Sequence, residues 1–378
     1  MKTRWMLVVA VVAAMGLMVG CTKKEPVKTK PVKTKTEAAK PAETAKPAEA
    51  AKPAEASKPA EPAKAGAINL KYANFPPAAT FPCIQMERWK EEVQKRTNGK
   101  VQIATFPGGT LLDAKGMIDG VIAGQADIGC LCMAYQPGRF VFENGTALPL
   151  GIPNAKVGSL VLWDLYNKYK PESFAKVKVL TMFATAPSNI MSKKAIRTVE
   201  DIKGVALRAS GGAGDILKAW GAEVAGMPMS ETPDALQKGV VQGLYSSAEV
   251  MKDFKFAEQC KFVTLTETVI YPFAVVMNQK AWDALPDDVK KVMDGLALEQ
   301  CEWTGTYMDN HVKESLEWSK NEHKVEVITL SPEQMAAWNK PLEGLTAKWV
   351  EDAKKAKLPA EQILADIKAL TEKYSKAK

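Results

Sequence analysis

Histidine is scarce in this chain, and the sequence motifs of common hydrolases are missing. The 378 residues include two histidines, His311 and His323, which lie in or just beyond one long helical pattern. No G-x-S-x-G or H-E-x-x-H sequence occurs, and neither histidine is placed as a base beside a serine or cysteine nucleophile. The sequence therefore indicates a protein that is not an enzyme, and no cofactor is expected.

Cysteines are few, and they do not form a metal-binding pattern. One of the six belongs to the N-terminal leader, which leaves an odd number for the remainder of the chain. Cys130 and Cys132 form a C-x-C pair without a second pair of ligands, so we expect no metal site. Buried free thiols are one interpretation, and a single disulfide between Cys83 and Cys132 stays open. The five cysteines concerned are Cys83, Cys130, Cys132, Cys260 and Cys301.

No apolar run is long enough for a membrane-spanning helix. The longest one near the N-terminus, residues 7–19, covers 13 residues and follows Lys2 and Arg4. A spanning helix needs about 20 apolar residues, so this pattern predicts a signal peptide over residues 1–21. Its end, Met18-Val-Gly-Cys21, is typical of a lipobox, which makes Cys21 the predicted lipidation site. An uncleaved anchor, or ordinary cleavage near Gly20, is the alternative.

Bulky apolar side chains are nearly absent from residues 22–66. Lys-Pro-Ala-Glu recurs there every six residues, starting at positions 40, 46, 52 and 58. Such a segment cannot bury enough surface to offset the entropy of ordering, and its prolines block a continuous helix. We expect a disordered Lys/Pro/Ala/Glu-rich tether.

The excess positive charge lies mostly outside the region that follows. Of the net charge of +8, residues 1–21 contribute +2 and residues 22–66 contribute +5, which leaves +1 for residues 67–378. Nucleic-acid binding needs a strongly basic face, so no nucleic-acid partner is expected. The basic tether could instead lie against anionic lipid headgroups.

Alternating strand and helix patterns run through residues 67–378. Because strands and helices alternate, we expect parallel sheets covered by helices. A pattern of about 34 residues from Pro286 to Lys320 predicts one unusually long helix. The predicted strands are 68–73, 101–106, one opening at 126–129, 177–184, 205–209, 223–225, 243–246, 263–265, 273–278 and 325–330, and the main predicted helices are 84–96, 112–123 and 214–220.

Arg208 is the strongest candidate for ligand binding. It ends an apolar strand and precedes the glycine-rich run of residues 210–214. Strand ends at this edge of an α/β sheet face the ligand crevice, and a guanidinium matches a carboxylate in two hydrogen bonds. The glycine-rich run lacks the G-K-[S/T] ending and the dinucleotide fingerprint, so we expect a flexible loop over a cleft. A surface arginine paired with a glutamate is the alternative.

Several short motifs, in order along the chain, resemble the substrate-binding proteins of TRAP (tripartite ATP-independent periplasmic) transporters. Most of them fall within the stretch that contains Arg208, and others flank it from residue 99 to residue 286. Singly each is weak, but together they cover nearly all of residues 67–330. The motifs within that stretch are Gly204-Val-Ala-Leu-Arg208, Trp220-Gly-Ala222, Met227-Pro-Met-Ser230 and Ala235-Leu-Gln-Lys-Gly-Val-Val-Gln-Gly243.

The resemblance implies a two-lobed α/β fold of the periplasmic binding protein type II class, with a hinge and a long bracing helix. Lobe I is expected at about 67–185 and 277–322, and lobe II at about 186–276 and 323–378. The implied partners are a small organic acid and the integral membrane subunits of a TRAP permease. With the Cys21 anchor added, the expected location is the periplasm, as a membrane-anchored lipoprotein. A binding protein that serves a signalling receptor is the alternative.

The resemblance also implies a ligand-binding set around Arg208, which would grip the ligand carboxylate. Ser246 stands where the family often has a ligand-binding asparagine, and residues 186–189 hold no second arginine. A single anchoring arginine suggests a monocarboxylate. The further candidate contacts are Asn189, Tyr245, Phe75, Tyr135 and Tyr271, of which each aromatic residue could equally belong to the core.

Overall fold

The structure is a computed structural model that describes residues 66–376. The predicted signal peptide with Cys21 and the predicted tether up to residue 65 lie outside the described residues. Within residues 66–376, no helix combines the length and the apolar character that crossing a bilayer requires.

Eleven strands and eleven α-helices make up the described chain. The strands are β1 (Ile68–Ala73), β2 (Val101–Phe106), β3 (Ile128–Cys132), β4 (Val177–Ala184), β5 (Asn189–Ser192), β6 (Ala206–Ala209), β7 (Glu223–Gly226), β8 (Gly243–Ser246), β9 (Phe262–Leu265), β10 (Pro272–Asn278) and β11 (Glu326–Thr329). The helices are α1 (Phe81–Arg96), α2 (Met117–Ile122), α3 (Ala155–Tyr169), α4 (Gly212–Ala219), α5 (Thr232–Gln237), α6 (Val250–Asp253), α7 (Gln279–Asp283), α8 (Asp287–His323), α9 (Pro332–Asn339), α10 (Leu345–Lys355) and α11 (Ala360–Lys376).

The strands form two separate sheets, one in each lobe, which confirms the predicted two-lobed α/β architecture. The sheet of lobe I has the order β2-β1-β3-β10-β4, and the sheet of lobe II has the order β11-β9-β5-β8-β6-β7. Four of the predicted strands, β1, β2, β4 and β8, have the expected bounds because each carries an apolar run or a clear alternation.

The first three strands pair in parallel as expected, but each sheet also contains an antiparallel strand. Strand β1 is parallel to β2 and β3, whereas β10 is antiparallel to both β3 and β4. In lobe II, β5 is likewise antiparallel to β8 and β9. β5 and β10 are the strands that directly follow the two crossings between the lobes.

The two chain crossings between β4 and β5 and between β9 and β10 run side by side. The backbone N–H of Thr185 donates to the carbonyl of Tyr271 at 3.0 Å, and the N–H of Ser188 donates to that of Val269 at 2.7 Å. The Thr185 hydroxyl accepts the N–H of Tyr271 at 2.9 Å. These bonds tie the crossing segments into a two-stranded hinge at the base of the space between the lobes.

Helix α8 braces both lobes. Its 37 residues give a length of about 55 Å, and it packs on α3 and β4 of lobe I and on α6 and β11 of lobe II. Gly305 lies where α8 and α3 meet, and a Cβ there would stand 2.6 Å from the Cα of Lys156. The absence of a side chain at residue 305 therefore permits the close packing of these two helices.

The end of the chain differs from the expected boundary of lobe II. Strand β11 joins the lobe II sheet, but α11 packs on α3 of lobe I. Ile363 and Ile367 of α11 are fully buried in a cluster with Val161 of α3, and Trp349 of α10 belongs to the same cluster. The last two helices therefore belong to lobe I, because their apolar faces are buried there.

All five cysteines in the described part of the chain are buried free thiols. Burial raises the pKa of Cys83 and of Cys132 to about 12, so both stay protonated at neutral pH. The open choice between thiols and a Cys83–Cys132 disulfide is resolved in favour of thiols in this structure.

Candidate functional site

A hollow lies between the two lobes, beside the hinge. It is narrow, with a cavity volume of about 40 Å³. This interlobe hollow is lined by Phe75, Pro76, Thr80, Phe81, Pro82, Cys132, Tyr135, Thr185, Arg208, Met229, Ser246, Glu249, Val250, Asp253, Phe254, Tyr271 and Phe273.

Arg208 enters the hollow from β6 and is 1% exposed. Its Nε donates to the carbonyl of Met227 at 3.0 Å, and one terminal nitrogen donates to the Ser210 hydroxyl at 2.9 Å. No carboxylate within the described residues forms an ion pair with it. A buried guanidinium without a counter-ion is costly in free energy.

The loop after Arg208 brings the lobes close together. Gly211 has φ +54° and ψ −141°, a conformation that strongly favours glycine. A Cβ at this position would lie 2.9 Å from the carbonyl oxygen of Ala134 in lobe I. The glycine-rich run following β6 therefore fits against the opposite lobe at the edge of the hollow.

Aromatic rings from lobe I form one wall of the hollow. The ring of Phe75 lies edge-on to Tyr135, with the centroids 5.4 Å apart, and stacks on Phe273 at 6.4 Å. Phe81 meets Phe273 edge-on at 5.6 Å. These contacts hold the rings in fixed orientations.

Two tyrosines supply uncharged hydroxyl groups. The hydroxyl of Tyr135 accepts the N–H of Met229 at 3.1 Å, which links lobe I to lobe II. The hydroxyl of Tyr271 donates to the carbonyl of Tyr245 at 3.2 Å. Burial raises the pKa of Tyr271 to about 12 although the charge of Arg208 opposes the rise, so the phenol stays protonated.

Acidic side chains lie elsewhere in the hollow. Oδ1 of Asp253 lies 2.6 Å from Nε2 of His311 on α8, and its Oδ2 accepts the N–H of Phe81 at 3.1 Å. The hydrogen bond with Asp253 raises the pKa of His311 above its usual value. Glu249 is 1% exposed, and burial raises the pKa of its carboxyl group to about 8.

The structure brings five of the seven predicted ligand contacts together. Phe75, Tyr135, Arg208, Ser246 and Tyr271 all line the interlobe hollow. They come from both lobes and from the hinge, which explains how residues spread over 197 positions meet at one place.

The other two predicted contacts do not line the hollow. The side-chain oxygen of Asn189 accepts the N–H groups of Thr266 and Glu267, at 2.9 and 3.1 Å, and so holds the segment after β9. Tyr245 is fully buried with its ring edge-on to Trp220. Successive side chains of a strand point to opposite faces, so Ser246 reaches the hollow and Tyr245 does not.

Sequence reasoning missed Glu249 and Asp253, as well as Phe81 and Phe273. The two acidic residues lie at the start and end of α6, a helix of four residues that shows no periodicity of its own. The phenylalanines read as ordinary core positions. The available signal was the spacing Glu249-x-x-x-Asp253 directly after the Ser246 position, which puts two carboxyl groups one turn apart.

Comparison with known proteins matches these features to one family. Residues 72–352 match the family model described as "Bacterial extracellular solute-binding protein, family 7". The 2,3-diketo-L-gulonate-binding periplasmic protein of Escherichia coli is 26% identical over 262 residues, which cover 65% of this chain and 76% of that protein.

Solved structures share the architecture. A TRAP periplasmic solute-binding protein from Desulfovibrio salexigens, an open complex, is 54% identical with a TM-score of 0.74, covering 81% of this chain and 96% of that one. A marine metagenome TRAP solute-binding protein specific for aromatic acid ligands, in complex with metahydroxyphenylacetate, is 27% identical with a TM-score of 0.78. That match covers 82% of this chain and 100% of the other.

Proposed function

Since the chain belongs to the bacterial extracellular solute-binding proteins of family 7, the substrate-binding proteins of TRAP transporters, we propose that it captures a small organic monocarboxylate and delivers it to a membrane permease. Proteins of this family serve transport and are not enzymes. The ligand carboxylate binds to Arg208, and the lobes close around the remainder of the molecule.

One observation carries this proposal, the buried guanidinium of Arg208 that faces the hollow without a carboxylate partner. A ligand carboxylate would supply the missing counter-ion and form charge-assisted hydrogen bonds with it. The protein offers no second arginine or lysine among the residues that line the hollow. A ligand with one carboxylate therefore balances the charge better than a dicarboxylate does.

The aromatic wall supports a flat or apolar ligand body. Phe75, Phe81 and Phe273 present phenyl rings, which offer no hydrogen-bond partners to the hydroxyl groups of a sugar or a polyol. Two related proteins were crystallised with aromatic acids, one with copurified benzoate and one with 3-hydroxybenzoate. We therefore favour aromatic monocarboxylates over C4-dicarboxylates as the ligand class.

The lipid anchor is part of the same proposal. The lipobox ending at Cys21 and the Lys/Pro/Ala/Glu-rich composition of residues 22–66 favour a periplasmic lipoprotein that stays at a membrane surface near its permease.

The test is a thermal-shift screen with aromatic and aliphatic carboxylic acids, followed by calorimetric titration of the acids that bind. We expect Arg208→Met to weaken binding by about 2–5 kcal/mol, roughly thirty-fold to several-thousand-fold. Arg139→Met is the control, because Arg139 pairs with Asp119 outside the hollow. Equal affinities of wild type and the Arg208 variant, with both proteins folded, would show that Arg208 is not the anchor.

A further inference from the structure

The two ends of the interlobe hollow differ in charge. Burial raises the pKa values of Cys132, Tyr135 and Tyr271, and the positive charge of Arg208 partly lowers them again. The carboxylate of Asp253 acts instead on Cys83 and Glu249, whose pKa values are raised by burial and further raised by that charge. Arg208, Glu249 and Asp253 all line the same hollow, so a ligand held at Arg208 shares it with both acidic side chains.

Glu249 has a carboxyl oxygen that the fold does not use. Its Oε2 is buried and lies outside hydrogen-bond geometry with every described residue, and the nearby Ser247 hydroxyl is likewise unpaired. The backbone of Glu249 is fixed independently, because its carbonyl accepts the Ser315 hydroxyl at 3.2 Å and the N–H of Asp253 at 3.0 Å. Leaving a buried polar atom unpaired costs free energy, so the position of this carboxyl group calls for a partner.

Asp253, the other acidic residue that lines the hollow, is already engaged. Asp253 binds His311 of α8 with one oxygen and the first N–H of α1 with the other. The Ser247 hydroxyl and the charge of His311 both oppose the rise in the pKa of Glu249, but burial outweighs them and the pKa reaches about 8. At neutral pH the carboxyl group of Glu249 therefore carries a proton and is able to donate a hydrogen bond.

We propose that Glu249 is a specificity-determining residue, whose carboxyl group forms a hydrogen bond with an oxygen substituent at the end of the ligand away from Arg208. This inference rests on the proposed function. It narrows the ligand class to monocarboxylic acids that carry a hydroxyl or carbonyl group on the remote part of the body. A second carboxylate at that end would be repelled by Asp253 and would compete with Glu249 for its proton.

The experiment compares benzoate with its three hydroxybenzoate isomers by calorimetric titration. These probes differ from benzoate by one hydroxyl group, so the change in the ratio of their Kd values between wild type and a Glu249 variant reports the contact with Glu249. We expect the wild type to bind at least one isomer about tenfold more tightly than benzoate. In Glu249→Leu this ratio falls to near one, whereas Glu249→Gln, which still carries a donor, keeps most of it.

A matched control and a pH series complete the design. Glu143→Leu removes another buried glutamate, 1% exposed and with a pKa raised by burial to about 7, that does not line the hollow. It should leave the ratio of Kd values unchanged. Raising the pH from 6.5 to 9 should change the ratio in the wild type more than in Glu249→Gln, because ionisation turns the Glu249 carboxyl group from a donor into an acceptor only.

The outcomes separate this inference from the proposed function. An undiminished ratio in folded Glu249→Leu, or a wild type without preference for any isomer, overturns the role of Glu249 while Arg208 keeps its own. Binding of all four probes that is indifferent to Arg208→Met overturns the proposed function instead. If the wild type binds none of the four, the aromatic ligand class and the Glu249 inference both fail, and aliphatic acids then test Arg208 separately.

Discussion

Replacing Glu249 by glutamine should change how the stability of the protein depends on pH. Burial raises the pKa of Glu249 from its ordinary 4.5 to about 8, so the folded protein keeps a proton that the unfolded chain releases. The contribution of this proton to the free energy of unfolding is complete below the pKa that Glu249 has in the unfolded chain. It is lost as the pH rises through the pKa that Glu249 has in the folded protein. Glutamine is uncharged in the folded and the unfolded protein, so the variant does not lose stability at this position as the pH rises.

The size of the effect follows from the shift in pKa. At about 1.4 kcal/mol per pKa unit, a shift of roughly 3.5 units amounts to about 5 kcal/mol as an upper value. A compact unfolded state reduces this figure, so we expect a few kcal/mol. Relative to the wild type, Glu249→Gln should gain stability steadily from pH 5 to pH 8 and no further above pH 9.

Urea unfolding followed by tryptophan fluorescence, repeated at each pH, measures this difference. Glu143→Gln provides an internal comparison, since burial raises the pKa of Glu143 only to about 7. Its difference curve should level off about one pH unit earlier. A stability difference between Glu249→Gln and wild type that stays constant from pH 5 to pH 9 would refute the reasoning, because Glu249 would then ionise as an exposed glutamate does.

Two further changes test the bracing helix and the anchor. Gly305→Ala should lower the free energy of unfolding by about 1–3 kcal/mol, because its Cβ would meet the backbone of Lys156, whereas Gly295→Ala on the same helix meets nothing within 4 Å and should gain about 0.5–1 kcal/mol. Urea unfolding compares the two, and a gain in both variants would argue against tight packing at residue 305. Cys21→Ser should move the protein from the membrane fraction to the soluble fraction of fractionated cells, and an unchanged distribution would count against lipidation.

The strands of lobe I illustrate what local patterns reveal. β1 and β4 were predictable to the residue because alternation or a continuous apolar run marks them. The helix predicted over 112–123 is shorter in the structure, Met117–Ile122. The reason is a turn in which the carboxylate of Asp113 accepts the N–H groups of Lys115 and Gly116, a side-chain interaction that periodicity does not report.

Helix α3 shows where local patterns fail. No element was predicted between residues 133 and 176, yet Ala155–Tyr169 forms a helix capped by the Asn154 side chain. It packs against α8, β4 and α11 on several sides, so Leu160, Val161 and Leu162 are all buried in succession. A helix buried on more than one face leaves only a narrow polar stripe, which here is confined mainly to Asp164, Asn167 and Lys168 near its end.

The hollow was predictable only in part for a related reason. Arg208 could be placed by its position at the end of a strand, which is a local property. Glu249 and Phe81 meet there only because α6 of lobe II comes against the start of α1 of lobe I, where the N–H of Phe81 reaches Asp253. That approach depends on the hinge and on α8, and neither contact leaves a mark in the sequence near these residues.

The packing of α11 has a mechanical consequence. The described chain starts at β1 and finishes at α11, and both belong to lobe I, so every strand of lobe II except β11 lies between two crossings of the hinge. Whatever holds the protein through residues preceding β1 pulls on one lobe alone. Lobe II can therefore move about the hinge without an attachment of its own.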